Sequence, residues 1–168
     1  MNNNYAVING IRVELTDEQV KTLGIKRKNP FERVVQGDVY YRVTEYGEIG
    51  DLTEDSDYTD QYLYDGVNYF NDEFFANQVA LHQLLYRKLL KFAYCNGFED
   101  TAEWNGYSYH FYIRYEYNDG VDESALAVAA TVMKKSANEV YFSSDDAASR
   151  AIKEVVEPFM KEHPDFVW

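Results

Sequence analysis

One cysteine, Cys95, stands among 168 residues. No intramolecular disulfide can form, and no zinc site built on thiolates can be assembled from this chain alone. That usage fits a reducing compartment. No stretch approaches the roughly 18 consecutive apolar residues of a membrane span. The opening Met-Asn-Asn-Asn-Tyr-Ala-Val-Ile-Asn-Gly has neither a basic leader segment nor a long apolar one, so the chain is expected to be soluble, cytoplasmic and free of membrane partners.

Catalytic signatures are missing as well. A Walker A loop and a Gly-x-Gly-x-x-Gly turn are absent, and His82, His110 and His163 show no His-Glu-x-x-His or similar spacing. Cys95 falls near the end of an apolar helical pattern and reads as a small buried hydrophobe rather than a reactive thiolate. No enzymatic activity, metal or cofactor is expected.

Basic residues are the next shortage: 16 Lys plus Arg face 29 Asp plus Glu, a net charge of −13 with neutral histidines. The imbalance is uneven. Residues 1–36 hold six basic and four acidic side chains, which leaves ten against 25, a net −15, for the remainder. Such a field repels phosphates and membrane surfaces and attracts proteins with basic clefts, so direct nucleic-acid binding is not expected. The plain alternative is solubility, with most carboxylates facing water. What the chain has in excess is aromatic area, with 16 Tyr, 10 Phe and 2 Trp. Tyrosine suits half-buried strands and protein interfaces alike.

Along the chain, Ala6 to Ile8 and Ile11 to Glu14 flank Asn9-Gly10, a strong hairpin signal. Thr16-Asp-Glu-Gln19 is a capping box that opens a short helix ending at Gly24, followed by the basic run Lys26-Arg27-Lys28. Val39 to Thr44 and Glu48 to Leu52 read as paired strands, and a polar connection spans Thr53 to Gly66. Val67 to Phe70 is extended, Asn71 is the expected N-cap, and a long helix carries Leu81, Leu84, Leu85, Leu89 and Phe92 to an Asn96-Gly97 stop, with Arg87, Lys88 and Lys91 on its wet face. The second half repeats the order. Tyr107 to Tyr117 and Ser124 to Met133 flank an Asn118-Asp119-Gly120 turn, Val140 to Phe142 is extended, and Ser143 with Asp146 reads as a capping box before a helix that ends or kinks at Pro158.

The phrases Asn68 to Ala80 and Val140 to Ile152 match 72 positions apart, each an aromatic pair, a cap, an acidic first turn and a helix. Tyr40-Tyr41-Arg42-Val43 precedes His110-Phe111-Tyr112-Ile113 by nearly that offset, 70. Duplication and chance likeness of strand-to-helix junctions both stay open. The order predicts an α+β fold: an N-terminal β-hairpin and helix over 1–36, then two similar β-β-β-α units over 37–98 and 99–168, with antiparallel sheet packed on helices in one compact domain.

The strongest candidate surface is the acidic connection. Asp51, Glu54, Asp55, Asp57, Asp60 and Asp65 crowd it without a Lys or Arg among them, interleaved with Tyr58, Tyr62 and Tyr64. Asp55-x-Asp57-x-Thr59 opens like a calcium loop, but Asp60 stands where that loop needs Gly and Gly66 where it needs a bidentate Glu. Spaced carboxylates can stand in for nucleic-acid phosphates in a basic groove, with the tyrosines supplying packing area. A solvated acidic loop is the other reading. Glu116, Asp119, Asp122 and Glu123 form a second acidic group near the turn of the second unit.

Four segments carry a resemblance: Val-Glu-Leu-Thr-Asp-Glu-Gln-Val-Lys-Thr-Leu-Gly-Ile; Asn-Pro-Phe-Glu-Arg-Val-Val-Gln-Gly-Asp-Val-Tyr-Tyr; Asn-Tyr-Phe before Ala-Leu-His-Gln-Leu-Leu-Tyr-Arg-Lys-Leu-Leu-Lys-Phe; and Val-Tyr-Phe-Ser-Ser-Asp-Asp-Ala-Ala-Ser-Arg-Ala-Ile. Together, over Val13 to Val155, they resemble small acidic proteins encoded by prophages and mobile elements of gut Firmicutes. These are strand and capping signatures, so no functional residue transfers. By association the resemblance implies an inhibitor of host defence, of the anti-CRISPR type, acting in the bacterial cytoplasm. The partner would be a host defence protein such as a CRISPR effector nuclease, with a homodimer left open. A phage accessory or structural protein that self-assembles or binds a virion component is the alternative.

Overall fold

Thr16 and Gln19 close the expected capping box: the Thr16 amide donates to Gln19 Oε1 at 2.8 Å and the Gln19 amide to Thr16 Oγ1 at 3.2 Å. This feature belongs to a computed structural model that describes residues 5–8, 11–23, 29–99, 104–118 and 123–168. The box opens helix α1, Asp17–Thr22, after an antiparallel pair of strands β1, Tyr5–Ile8, and β2, Ile11–Glu14, in register Ile8 opposite Ile11. Asn9-Gly10, Gly24 and the basic run at 26–28 lie outside the described residues.

Strands β3, Val39–Val43, and β4, Ile49–Thr53, pair antiparallel with Tyr40 opposite Leu52 and Val43 opposite Ile49. Their turn places Gly47 at φ +82°, a conformation glycine adopts without a Cβ penalty. Phe70 adds a third antiparallel contact through two backbone bonds with Tyr41, of 2.7 and 2.8 Å. Between β4 and this bridge the expected irregular connection is instead partly helical, α2, Tyr58–Asp65. Asp57 caps it and Asp60 at the third position reaches back, an all-aspartate form of the capping box.

Helix α3, Glu73–Cys95, begins one residue later than expected because Asp72 is its N-cap, accepting from the Phe75 amide at 2.8 Å. The Asn71 side chain is occupied elsewhere, donating to the carbonyls of Asn29 and Glu32. Cys95 ends this helix exposed, not buried, because the apolar stripe runs through Leu89 and Ala93 and leaves position 95 off it. Strands β5, His110–Asn118, β6, Glu123–Thr131, and β7, Tyr141–Phe142, form a second antiparallel sheet ordered β6-β5-β7. Helix α4, Asp145–Ala151, is capped by Ser144, not Ser143, whose hydroxyl donates to the Asn96 carbonyl at 2.8 Å. The last helix neither ends nor breaks at Pro158. A π-helical turn, Ile152–Val156, leads into α5, Glu157–Glu162, with the Glu157 amide donating five residues back to the Ile152 carbonyl. The wider turn loosens the ladder where proline has no N–H to donate.

Helix α3 is the spine of this α+β fold. Its Ala76 and Ala80 pack on Tyr41, Val43, Ile49 and Phe70 of the first sheet. Leu81, Leu85, Leu89 and Ala93 pack on Val140, Phe142, Ala148, Val156 and Phe159. Strand alternation sends Tyr40 and Leu52 to the opposite face of the first sheet, where they meet Leu63 of α2 and Tyr69. No helix among the described residues is long and apolar enough to cross a membrane.

Leu85 is 4% exposed at the centre of the larger core. Leu85→Ala should destabilise the fold by about 2–5 kcal/mol, read as a lowered urea midpoint at unchanged slope. Tyr94→Ala, at a 52% exposed position on the same helix, should stay within about 0.5 kcal/mol of the parent.

Candidate functional site

The acidic tract is organised by two carboxylates that leave the surface. Glu54 is 1% exposed and accepts four hydrogen bonds: from Arg33 Nε and Nη2 at 3.0 and 2.9 Å, from the Tyr69 hydroxyl at 2.7 Å and from the Ser56 amide at 2.9 Å. Asp60 is 3% exposed and accepts from the Tyr40 hydroxyl at 2.7 Å and from the amides of Asp55 and Asp57 at 2.8 and 3.2 Å. The two tyrosine rings stack at 3.9 Å between centroids and 14° between planes, which joins the two halves into one network. Arg33 also donates to Gln61 of α2 at 2.8 Å and lies over the Tyr64 ring at 5.6 Å.

The cation missing from the tract's own sequence therefore comes from 21 positions upstream. Glu54 and Asp60 are corrected from partner-facing residues to interior ones, because buried carboxylates persist only when hydrogen-bonded or paired, and both are. Arg33 holds the Glu54 carboxyl below its ordinary range; burial opposes this, and Tyr69 and Ser56 add to it. Burial acts most strongly on Asp60 and pushes it up, but Tyr40 and the backbone donors together outweigh it and leave it low. Burial and then Glu54 push the Tyr69 hydroxyl up to about 12, and burial with Asp60 raises Tyr40 further still.

What faces outward is a smaller set. Tyr58 and Tyr62, one turn apart on α2, are 82% and 66% exposed with ring centroids 6.3 Å apart. Tyr64 is 39% exposed and edge-on to Tyr69. Asp55, Asp57 and Asp65 are exposed beside them, and Asp65 accepts from the Gln61 amide group at 2.8 Å. Asp51 is exposed but pairs across strands with Tyr41, so it lies on the face of the sheet turned away from α2. It does not share the α2 surface. Glu116, on β5, forms an ion pair with Arg114 and sits on the other sheet. Asp119 and Asp122 lie outside the described residues, as does the side chain of Glu123, which opens β6.

Sequence reasoning missed Arg33, Gln61, Tyr40 and Tyr69. Asp57-x-x-Asp60 was a readable capping signal for α2, whereas the two tyrosines join through chain contacts that no local pattern encodes. Among the described residues no three His, Cys, Asp or Glu side chains are placed to hold a metal ion. The network leaves Glu54 and Asp60 saturated with donors, so it positions a helix; the outward groups offer ring area, hydroxyls and carboxylates to a partner.

Because Glu54 and Asp60 are held low, their contribution to stability is present above the ordinary carboxylate range near pH 4 and is lost as pH falls through their folded values. The raised Tyr69 acts in mirror image: its contribution is present below the ordinary tyrosine value of about 10 and lost as pH rises through about 12. Tyr69→Phe, which leaves Glu54 one donor short, should cost about 1–3 kcal/mol at pH 7. The penalty should shrink once acid protonates Glu54. Urea denaturation of parent and variant across pH 3 to 8 checks both, and a penalty independent of pH contradicts the assignment.

No protein family, no curated protein and no solved structure gives a significant match to this chain.

Proposed function

We propose that this chain is a non-enzymatic binding protein that sets the α2 surface into a basic, nucleic-acid-binding cleft of another protein. The observation that carries the reading is the division of the acidic tract: Glu54 and Asp60 fix α2 to the sheet, and Tyr58, Tyr62 and Asp65 on α2 are left exposed together with Asp55 and Asp57 in the turn that leads into it. Rigid tyrosines with two χ angles supply contact area with little ordering entropy, and flanking carboxylates supply attraction to cations. The net charge of −13 adds long-range steering toward a basic partner. Resemblance to small acidic phage proteins supplies the context, a phage-associated inhibitor of host defence of the anti-CRISPR type, with a CRISPR effector nuclease as the partner.

The architecture proposed with it is a pair of β-β-β-α units after an N-terminal hairpin and helix. Its support is that in both sheets the third extended segment lies antiparallel beside the first, Phe70 beside Tyr41 and Phe142 beside Phe111, with a helix after each. A second reading, a phage accessory or structural protein that self-assembles, draws on β6, a nine-residue strand at the edge of its sheet, and on the exposed Tyr115 and Tyr117 of β5.

Binding to a purified CRISPR effector nuclease at increasing salt tests the main reading. Affinity should fall steeply with salt, and DNA should compete. Asp55→Asn, Asp57→Ser and Asp65→Asn combined should weaken binding by about tenfold or more at low salt, the serine retaining a helix cap without its charge. Salt-independent binding, or none, removes the proposal; a stable oligomer disrupted by charges placed on β6 supports the second reading.

A further inference from the structure

We infer that the cleft between α3 and the second sheet is a binding site for an apolar small molecule carrying a single carboxylate. The cleft has a volume of about 740 Å³, within the range of about 300–1,000 Å³ typical of ligand sites. Leu85, Leu89, Ile113, Val140, Phe142 and Phe166 line it. All but Ile113 are buried core residues, so this apolar lining is built into the fold rather than hung on a loop. Phe166 and Trp168 form one wall. That wall is fastened by Gln78, whose side-chain amide donates to the Asp165 carbonyl at 2.8 Å while its oxygen accepts from the Val167 amide at 2.9 Å.

The charge at the cleft selects the ligand. Arg33, Arg114 and Arg150 each meet a glutamate. Arg87, which lines the cleft and is exposed, has no ion pair or hydrogen bond among the described residues, in a chain with nearly twice as many acids as bases. The guanidinium is packed against the β3–β4 turn, where a Cβ on Gly47 would come within 2.7 Å of Nη2. It offers a planar fork of donors that matches a carboxylate. The other charged liner, Glu139, already accepts from the Tyr141 hydroxyl at 2.8 Å. Its negative charge disfavours a ligand with a second anionic group. An apolar body with one carboxylate therefore satisfies the lining and Arg87, the one Lys or Arg among the described residues that line this cleft, together. This cleft lies on the α3 side of the first sheet and α2 on the other, so the inference does not depend on the proposed partner-binding role.

Calorimetric titration of the full chain with octanoate tests it. Saturable one-to-one binding is expected, with octanol and the dicarboxylate suberate each about tenfold weaker. Arg87→Gln should weaken octanoate by a similar factor and leave octanol unchanged, and Ala137→Trp, at an exposed lining position, should fill the cleft and abolish binding of both. Thermal melts of the two variants should match the parent. Absence of saturable binding to the parent overturns the inference, as does octanoate affinity that is indifferent to Arg87→Gln or equalled by suberate.

Discussion

Two carboxylates taken out of water set the terms for the first half of the molecule. Burying Glu54 and Asp60 would each cost several kcal/mol without compensation, so their surroundings have to supply donors in full. Glu54 draws on a loop at Arg33, on Tyr69 beside the Phe70 bridge and on the backbone of Ser56. Asp60 draws on β3 through Tyr40 and on the turn before its own helix. Each bond ties a different part of the chain to the same spot. A tract that would be mobile from composition alone is thereby held against the sheet, with α2 as its rigid edge.

The remainder follows from the two-sidedness of strands and of α3. Tyr40 and Tyr41 point to opposite faces, as do Tyr69 and Phe70, so one sheet carries the polar network on one side and the α3 contact on the other. Helix α3 in turn spends its first turns on that sheet and its later ones on the second core. The two proposed binding surfaces divide along the same line: the α2 surface on one side, the cleft beside Leu85 and Leu89 on the other.

The amino-acid sequence made the regular elements readable where local physics decides them. Thr16 and Gln19 cap as their spacing requires, the α3 stripe holds from Leu81 to Ala93, and the strand pairs fall within three residues of expectation, the widest gap being at β5, which starts at His110 rather than Tyr107. Caps slipped by one residue where two capping residues stand in a row, because tertiary contacts claim the first: Asn71 is taken by the Asn29 and Glu32 carbonyls, Ser143 by the Asn96 carbonyl. Pro158 passed inside a helix because the π turn preceding it adjusts the ladder. The acidic surface was legible in its tyrosines and three of its aspartates. Its interior was not, since Arg33, Tyr40 and Tyr69 meet Glu54 and Asp60 only after the chain has folded, and a count of nearby residues sees carboxylates without the partners that bury them.

Buried donors turn the acidic tract into a fixed helical surface. Native-state amide hydrogen exchange measures this directly at the α2 backbone. The Gln61 to Leu63 amides should open with a free energy near that of the core of α3 in the parent chain and lose that protection when Asp60 is replaced by alanine, while the amides around Leu85 keep theirs. Exchange of the α2 amides at the rate of an unfolded peptide in the parent, with α3 fully protected, would contradict it.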